Sequence, residues 1–205
     1  MKTIINQWMY GTCLVAASLV AGVGCGEDDD NGSDDDNEEV ELITTLTLTF
    51  APPTGAPVSF EFFDPDAGGS QPGTADMIVL DADTTYTLTL ELTDEINDED
   101  ITEEIMEEDD EHQFFFFGDA VDSPTEMDGS NILVTVDYAD MDDNGLPVGL
   151  TSNVQAGSAG GPVTDGFSVQ LQHQPPVNDM AVKTANSGIM DGDTDILATF
   201  DIELE

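Results

Sequence analysis

The chain almost lacks positive charge. Of its 205 residues, two are Lys or Arg, against 45 Asp and Glu, for a formal net charge of −43. The two are Lys2 and Lys183; Arg is absent, and every carboxylate follows Cys25. Such a surface repels nucleic acid and anionic lipid and attracts cations, so no nucleic-acid partner is expected. Without guanidinium forks the chain is poorly equipped to hold phosphate or carboxylate substrates bidentately. At low salt the acids repel one another. At molar ionic strength the screening length falls to about 3 Å and the repulsion fades, which suits a saline setting. A dedicated cation store is the alternative reading of the same composition.

Cysteine is scarce, and no long apolar run exists. Cys13–Val23 is apolar and small-residue-rich but too short for an ordinary membrane-spanning helix. With Lys2 ahead of it and Gly22-Val23-Gly24-Cys25 behind, residues 1–24 read as a targeting segment. The segment resembles a bacterial lipoprotein signal, which implies lipidation at Cys25. Gly22 departs from the usual Leu at that position. Several acyl chains on one Cys hold a protein to a bilayer stably, at about 0.8 kcal/mol per buried CH₂. Loss of Cys13 with the signal leaves Cys25 alone, so no internal disulfide is expected and stability must come from a core or from bound ions.

Motifs of catalysis are missing as well. There is no Gly-x-Ser-x-Gly, no His-Glu-x-x-His and no phosphate-cradling glycine loop. Paired carboxylates are everywhere and so carry no information about an acid–base site. The expectation is a protein that is not an enzyme.

What the chain does contain begins with Gly26–Glu39, an acidic stretch with no apolar residue. It cannot bury enough surface to order itself, so residues 25–39 read as a lipidated Cys followed by a disordered tether. Acids directly after the Cys resemble a surface-export signal of Bacteroidota-type lipoproteins. That implies an outer-membrane, lipid-anchored protein on the surface-exposed or periplasmic face.

Residues 40–205, about 165 in all, suffice for one domain with one core. Period-two patterns dominate them. Val40, Leu42, Leu46, Leu48 and Phe50 share a parity, as do Val58, Phe60 and Phe62, and Tyr86, Leu88, Leu90 and Leu92. Further sets are Ile132–Tyr138, Phe167–Leu171 and Ile196–Leu204, and strands are also expected at Met77–Leu80, Phe114–Phe117 and Val148–Gln155. Alternation with turn residues between predicts antiparallel sheets buried on one face. The fold class is therefore all-β, a two-sheet antiparallel β-sandwich of about nine strands with one short acidic helix.

That helix is expected where Ile101, Ile105 and Met106 recur among glutamates, over about three turns, with Asp100 as N-cap. Acids at Glu108–Glu111 would sit at its negative end and repel one another, a repulsion a cation would relieve. Glu108 and His112, four apart, would share a helix face, and a carboxylate with an imidazole at that spacing can chelate a metal. A solvated acidic helix is the plain alternative. The following Phe114–Phe117 cannot all face water. Either both faces are buried, or one pair forms core and the other an interaction surface.

The chain has two histidines, His112 and His173. His173 continues the inward parity of Phe167, Val169 and Leu171; His112 shares that of Phe114 and Phe116. If these strands are neighbours, the histidines meet at one end of the sandwich. With Glu108 or Glu104 they would make a Zn²⁺ or Cu²⁺ site. A hydrogen-bonded structural pair is the alternative. Separately, Asp140, Asp142 and Asn144 followed by Gly145 match the first half of a calcium loop. Thr151 stands where an EF-hand needs a bidentate Glu, and Asn-Gly also marks a hairpin turn, so a plain acidic turn competes with Ca²⁺. Asp64-Pro-Asp66 and Asp191-Gly-Asp193 are weaker versions.

The order Ile101-Thr-Glu-Glu-Ile105, Glu111-His112-Gln113-Phe114, Asp140-x-Asp142-x-Asn144-Gly145-x-Pro147, Leu171-x-His173-x-Pro175 and Asp193-Thr-Asp195-Ile196 resembles a group of small, acidic Bacteroidota-type outer-membrane lipoproteins. These are often labelled type 1 periplasmic binding fold superfamily proteins. The resemblance covers nearly all of residues 25–205 and implies association with a TonB-dependent receptor or another outer-membrane protein. The label names a two-lobed α/β fold of roughly twice this length. The alternating strands here point instead to a β-sandwich. Two functions follow as expectations: a ligand-binding lipoprotein that captures a divalent metal beside a transporter, or a calcium-stabilised structural or adhesive module that binds a protein partner.

Overall fold

Alternation of side chains builds both sheets. The computed structural model describes residues 42–125, 129–178 and 180–205. The targeting segment 1–24, the lipidation at Cys25, the tether to residue 39, and Val40 lie outside the described residues. In chain order the elements are β1 (Thr45–Ala51), β2 (Val58–Phe63), β3 (Thr74–Ala75), β4 (Ile78–Leu80), β5 (Thr85–Asp94), β6 (Glu99–Asp100), α1 (Ile101–Glu107), β7 (His112–Phe117), β8 (Val121–Asp122), β9 (Val134–Tyr138), β10 (Thr151–Ala156), β11 (Gly160–His173) and β12 (Asp193–Leu204).

One sheet runs β3-β2-β1-β5-β10-β9-β8, with β6 added to β5; the other runs β4-β12-β11-β7. Most neighbours are antiparallel; β4 with β12 and β8 with β9 are parallel. The all-β, two-sheet expectation holds. Nine of the strands are those the alternation predicts. The remaining three, β3, β6 and β8, are two residues long.

In the larger sheet Leu46 and Leu48 of β1 stand between Leu92 and Leu90 of β5 and Phe62 and Phe60 of β2. In the smaller one Phe167, Val169 and Leu171 of β11 pair with Phe200, Ala198 and Ile196 of β12. Phe116 and Phe114 of β7 lie on the other side of Val169 and Leu171. These inner faces close into one buried core. Cross-strand apolar pairs of this kind stabilise a sheet and fix its register, because a slip of one residue would turn each apolar set to solvent.

Several local expectations change. β1 begins at Thr45, and Ile43 is buried while Leu42 is exposed, because the chain before the strand no longer alternates. β10 begins at Thr151, since Val148 is used instead to cover the edge of β7: its carbonyl accepts the Phe114 N–H at 2.7 Å. The Tyr138 hydroxyl donates to the Phe114 carbonyl at 2.7 Å from the same side. Gly149 makes this close approach feasible; at φ +96°, a Cβ there would lie 2.9 Å from the Phe114 Cβ.

Phe114, Phe115 and Phe116 are all buried, with Phe114 and Phe116 in the core between the sheets. Phe114–Phe116 are thus buried on both faces of the strand, while Phe117 is partly exposed. Helix α1 is seven residues, shorter than expected, and Glu108 caps it. Its start is as read, with the Asp100 side chain accepting the Thr102 N–H at 3.1 Å. Its end comes early because four further carboxylates would have stood at the negative pole of the helix.

Candidate metal centre

The turn from α1 into β7 brings the acidic run to the histidines. Glu108 and His112 do not share the helix face that their spacing predicts, because the helix stops at Glu107. The chain instead folds back. The Glu111 N–H donates to the Glu108 carbonyl at 2.9 Å, and His112 opens β7 with its Nδ1 3.0 Å from that same carbonyl. A carbonyl only accepts, so Nδ1 carries the proton in this bond. In the neutral ring that leaves Nε2 with the lone pair, the arrangement by which a protein orients a ligand histidine.

His173 closes β11 directly opposite. The two histidines are register partners, with ring centroids 4.5 Å apart and planes 11° from parallel. His112 is fully buried and His173 is partly exposed. Glu108, His112 and His173 each offer one ligand atom, all within 4.8 Å of one another. Bonds of about 2.0–2.1 Å in a tetrahedral site set ligand atoms about 3.4 Å apart. Closing onto an ion therefore needs movements of about 1 Å, well within reach of the exposed Glu108 side chain. Glu104, one turn earlier on α1, is exposed and is not a member of this group.

A second carboxylate stands beside His173 alone, outside the group formed by Glu108, His112 and His173. The Glu111 Oε2 lies 3.5 Å from His173 Nε2, already near a tetrahedral edge. Its backbone is pinned on both sides, by the Glu108 carbonyl and by the Gln174 N–H, which donates to the Glu111 carbonyl at 2.6 Å. The signal for it was its place immediately before His112, but it was masked by its membership of an acidic run.

The calcium-loop residues do something else. Asp140 accepts the Gly149 N–H at 2.7 Å on one oxygen and the Thr151 N–H at 2.8 Å on the other. Asp142 accepts the N–H groups of Asn144 and Leu146 at 2.9 and 2.8 Å on Oδ1. Its Oδ2 lies 3.0 Å from the Nζ of Lys183, and both side chains are buried. Asn144 is exposed. The cation that the pattern calls for is supplied by the chain itself. Burial pushes the Asp142 carboxyl up, but the Leu146 N–H, Lys183 and the Asn144 N–H outweigh it and hold the group below its ordinary range. A Ca²⁺ ion at Asp140–Asn144 would have to displace the Lys183 ammonium and compete with these N–H groups. Millimolar Ca²⁺ or EDTA should leave the melting temperature within about 1 °C of its value in buffer, as read by circular dichroism at fixed ionic strength.

Among the described residues no helix is long and apolar enough to cross a membrane. No family model matches the chain, and no curated protein or solved structure is significantly similar to it.

Proposed function

We propose that this chain is a lipid-anchored, non-enzymatic outer-membrane protein that captures a divalent transition metal, Zn²⁺ or Cu²⁺. His112 and His173 are the principal ligands. Glu108 and Glu111 supply the carboxylates. The observation that carries the reading is the register of β7 with β11, which sets the chain's two histidines face to face under a turn bearing both acids. Imidazole with carboxylate is a donor set suited to Zn²⁺ and Cu²⁺. The acidic surface favours it further, because a strongly negative coat raises the local concentration of cations.

The lipid anchor at Cys25 and the tether to residue 39 would hold the site close to the membrane. Its place there, and an accessory role beside a TonB-dependent receptor or another outer-membrane protein, follow from the signal-like N-terminus and the resemblance to small acidic Bacteroidota-type lipoproteins. The calcium-stabilised adhesive module is the weaker reading, since the Asp140 and Asp142 oxygens are already engaged by amides and by Lys183.

Calorimetric titration of the full chain with Zn²⁺ in molar salt tests the proposal, the salt suppressing diffuse binding to surface acids. One stoichiometric site is expected. His112→Ala with His173→Ala should weaken it by at least about 100-fold. Unchanged affinity in that double variant would sink the proposal.

A further inference from the structure

Lys183 lies in the long connection between β11 and β12, and it is buried. Besides its ion pair with Asp142, its Nζ donates to the backbone carbonyl of Asp109 at 2.6 Å. Asp109 follows Glu108 and precedes Glu111 by two residues, in the turn that sets Glu108 near both histidines and Glu111 beside His173. The same turn is held from the residue just past β11 by the Gln174 N–H. The β11–β12 connection is itself anchored over the smaller sheet, where the Gln170 and Gln172 amides donate to the Ile189 carbonyl and to the Thr194 hydroxyl. One ammonium group thus joins three segments: the β9–β10 loop through Asp142, the β11–β12 connection, and the ligand-bearing turn through Asp109.

We propose that Lys183 is a positioning residue for the metal centre, holding the 108–111 turn so that Glu108 and Glu111 face His112 and His173. The inference rests on the metal reading. It adds that the affinity of the site depends on a side chain that does not touch the ion.

Preorganisation is the physical basis of this role. A turn of four consecutive carboxylates repels itself and gains nothing from facing more negative charge. The one cation of the folded region, bonded to the main chain within that turn, offsets the repulsion without taking any of the ligand oxygens. An ion binding there then finds its carboxylates already placed, and the entropy of ordering them has been met during folding.

The test is zinc affinity in a variant that keeps the fold. Lys183→Met alone leaves Asp142 buried without its partner, so the informative variant is Lys183→Met with Asp142→Asn, which removes both charges and retains the oxygen that accepts the Asn144 and Leu146 N–H groups. Its zinc affinity should fall about 10–100-fold, the usual effect of losing a group that orients ligands. A core variant of matched melting temperature, such as Phe200→Leu, should retain wild-type affinity, which separates positioning from general loosening. Wild-type affinity in the paired variant, or an equal loss in Phe200→Leu, would overturn the inference. If the paired variant does not fold, the wild type decides. In ¹⁵N-lysine-labelled full chain, the buried Lys183 ammonium resonance should shift on saturation with Zn²⁺, and an unmoved resonance would overturn it. A wild type with no stoichiometric zinc site overturns the metal reading itself, a result distinct from all of these.

Discussion

Lys183→Met should be among the most damaging single substitutions in the folded region, costing about 3–5 kcal/mol, the range for removing one partner of a buried ion pair. The two side chains are 1% and 0% exposed. Methionine fills the volume of the lysine stem, so the effect is electrostatic rather than a cavity. It leaves a carboxylate that can neither reach water nor find a cation. The pH dependence gives an internal check. Asp142 is held below its ordinary value of 3.8 in the folded protein. The folded state therefore binds fewer protons than the unfolded one. The stability this group contributes is fully present above the ordinary carboxylate value, and it is lost as pH falls through the depressed folded value. In Lys183→Met the folded carboxyl is easier to protonate than in wild type, because burial still raises it and only the Leu146 and Asn144 N–H groups remain to lower it. The deficit of the variant relative to wild type should thus shrink between pH 7 and pH 4, as read from urea midpoints at both. A deficit that is constant with pH would contradict the ion-pair account.

Phe167→Ala should cost a similar amount, about 3–5 kcal/mol, for a different reason. Phe167 is fully buried on β11, with its ring 6.4 Å from Phe50 of the other sheet and 6.2 Å from Phe116 of β7. It is where the two sheets meet through aromatic edges. Truncation removes those contacts and leaves a cavity that two rigid sheets cannot close. For a domain of this size the melting temperature should fall by on the order of 10 °C. Zinc affinity should change little, because the ring is several residues along β11 from His173.

Much of this fold is legible in the sequence because its strands are long enough to alternate. Leu46-Thr-Leu-Thr-Phe50 and Tyr86-Thr-Leu-Thr-Leu90 state their buried face without any structure. The two-residue strands β3, β6 and β8 are not legible, since two residues have no period. Nor is strand order. The parallel pairing of β4 with β12 joins residues more than 120 positions apart, and no local signal reports it.

The candidate site was legible in part. Parity placed His112 with Phe114 and His173 with Leu171, and register then brought them together. Glu111 was hidden by its own composition: in Glu107–Glu111 every residue is a carboxylate, so sequence alone could not say which would face a histidine. The helix length decided it. A helix reaching residue 112 would have aligned Glu108 with His112 along one face, whereas a helix ending at Glu107 leaves a turn that brings Glu111 beside His173. Lys183 was countable from the sequence but its role was not. The clue was the calcium-like pattern at Asp140–Asn144, which required a positive charge, in a chain with a single one to offer beyond residue 2. Reading the demand for a cation together with the scarcity of cations would have paired the two.

The central claim is that two imidazoles and a carboxylate hold one metal ion. X-ray absorption at the zinc edge, on the full chain loaded with one equivalent of Zn²⁺ in molar salt, tests it most directly. The account predicts two imidazole nitrogens at about 2.0–2.1 Å with oxygen completing a four-coordinate shell. A shell of oxygen alone would mean that the ion sits among surface carboxylates, and the histidine centre would then be a structural pair.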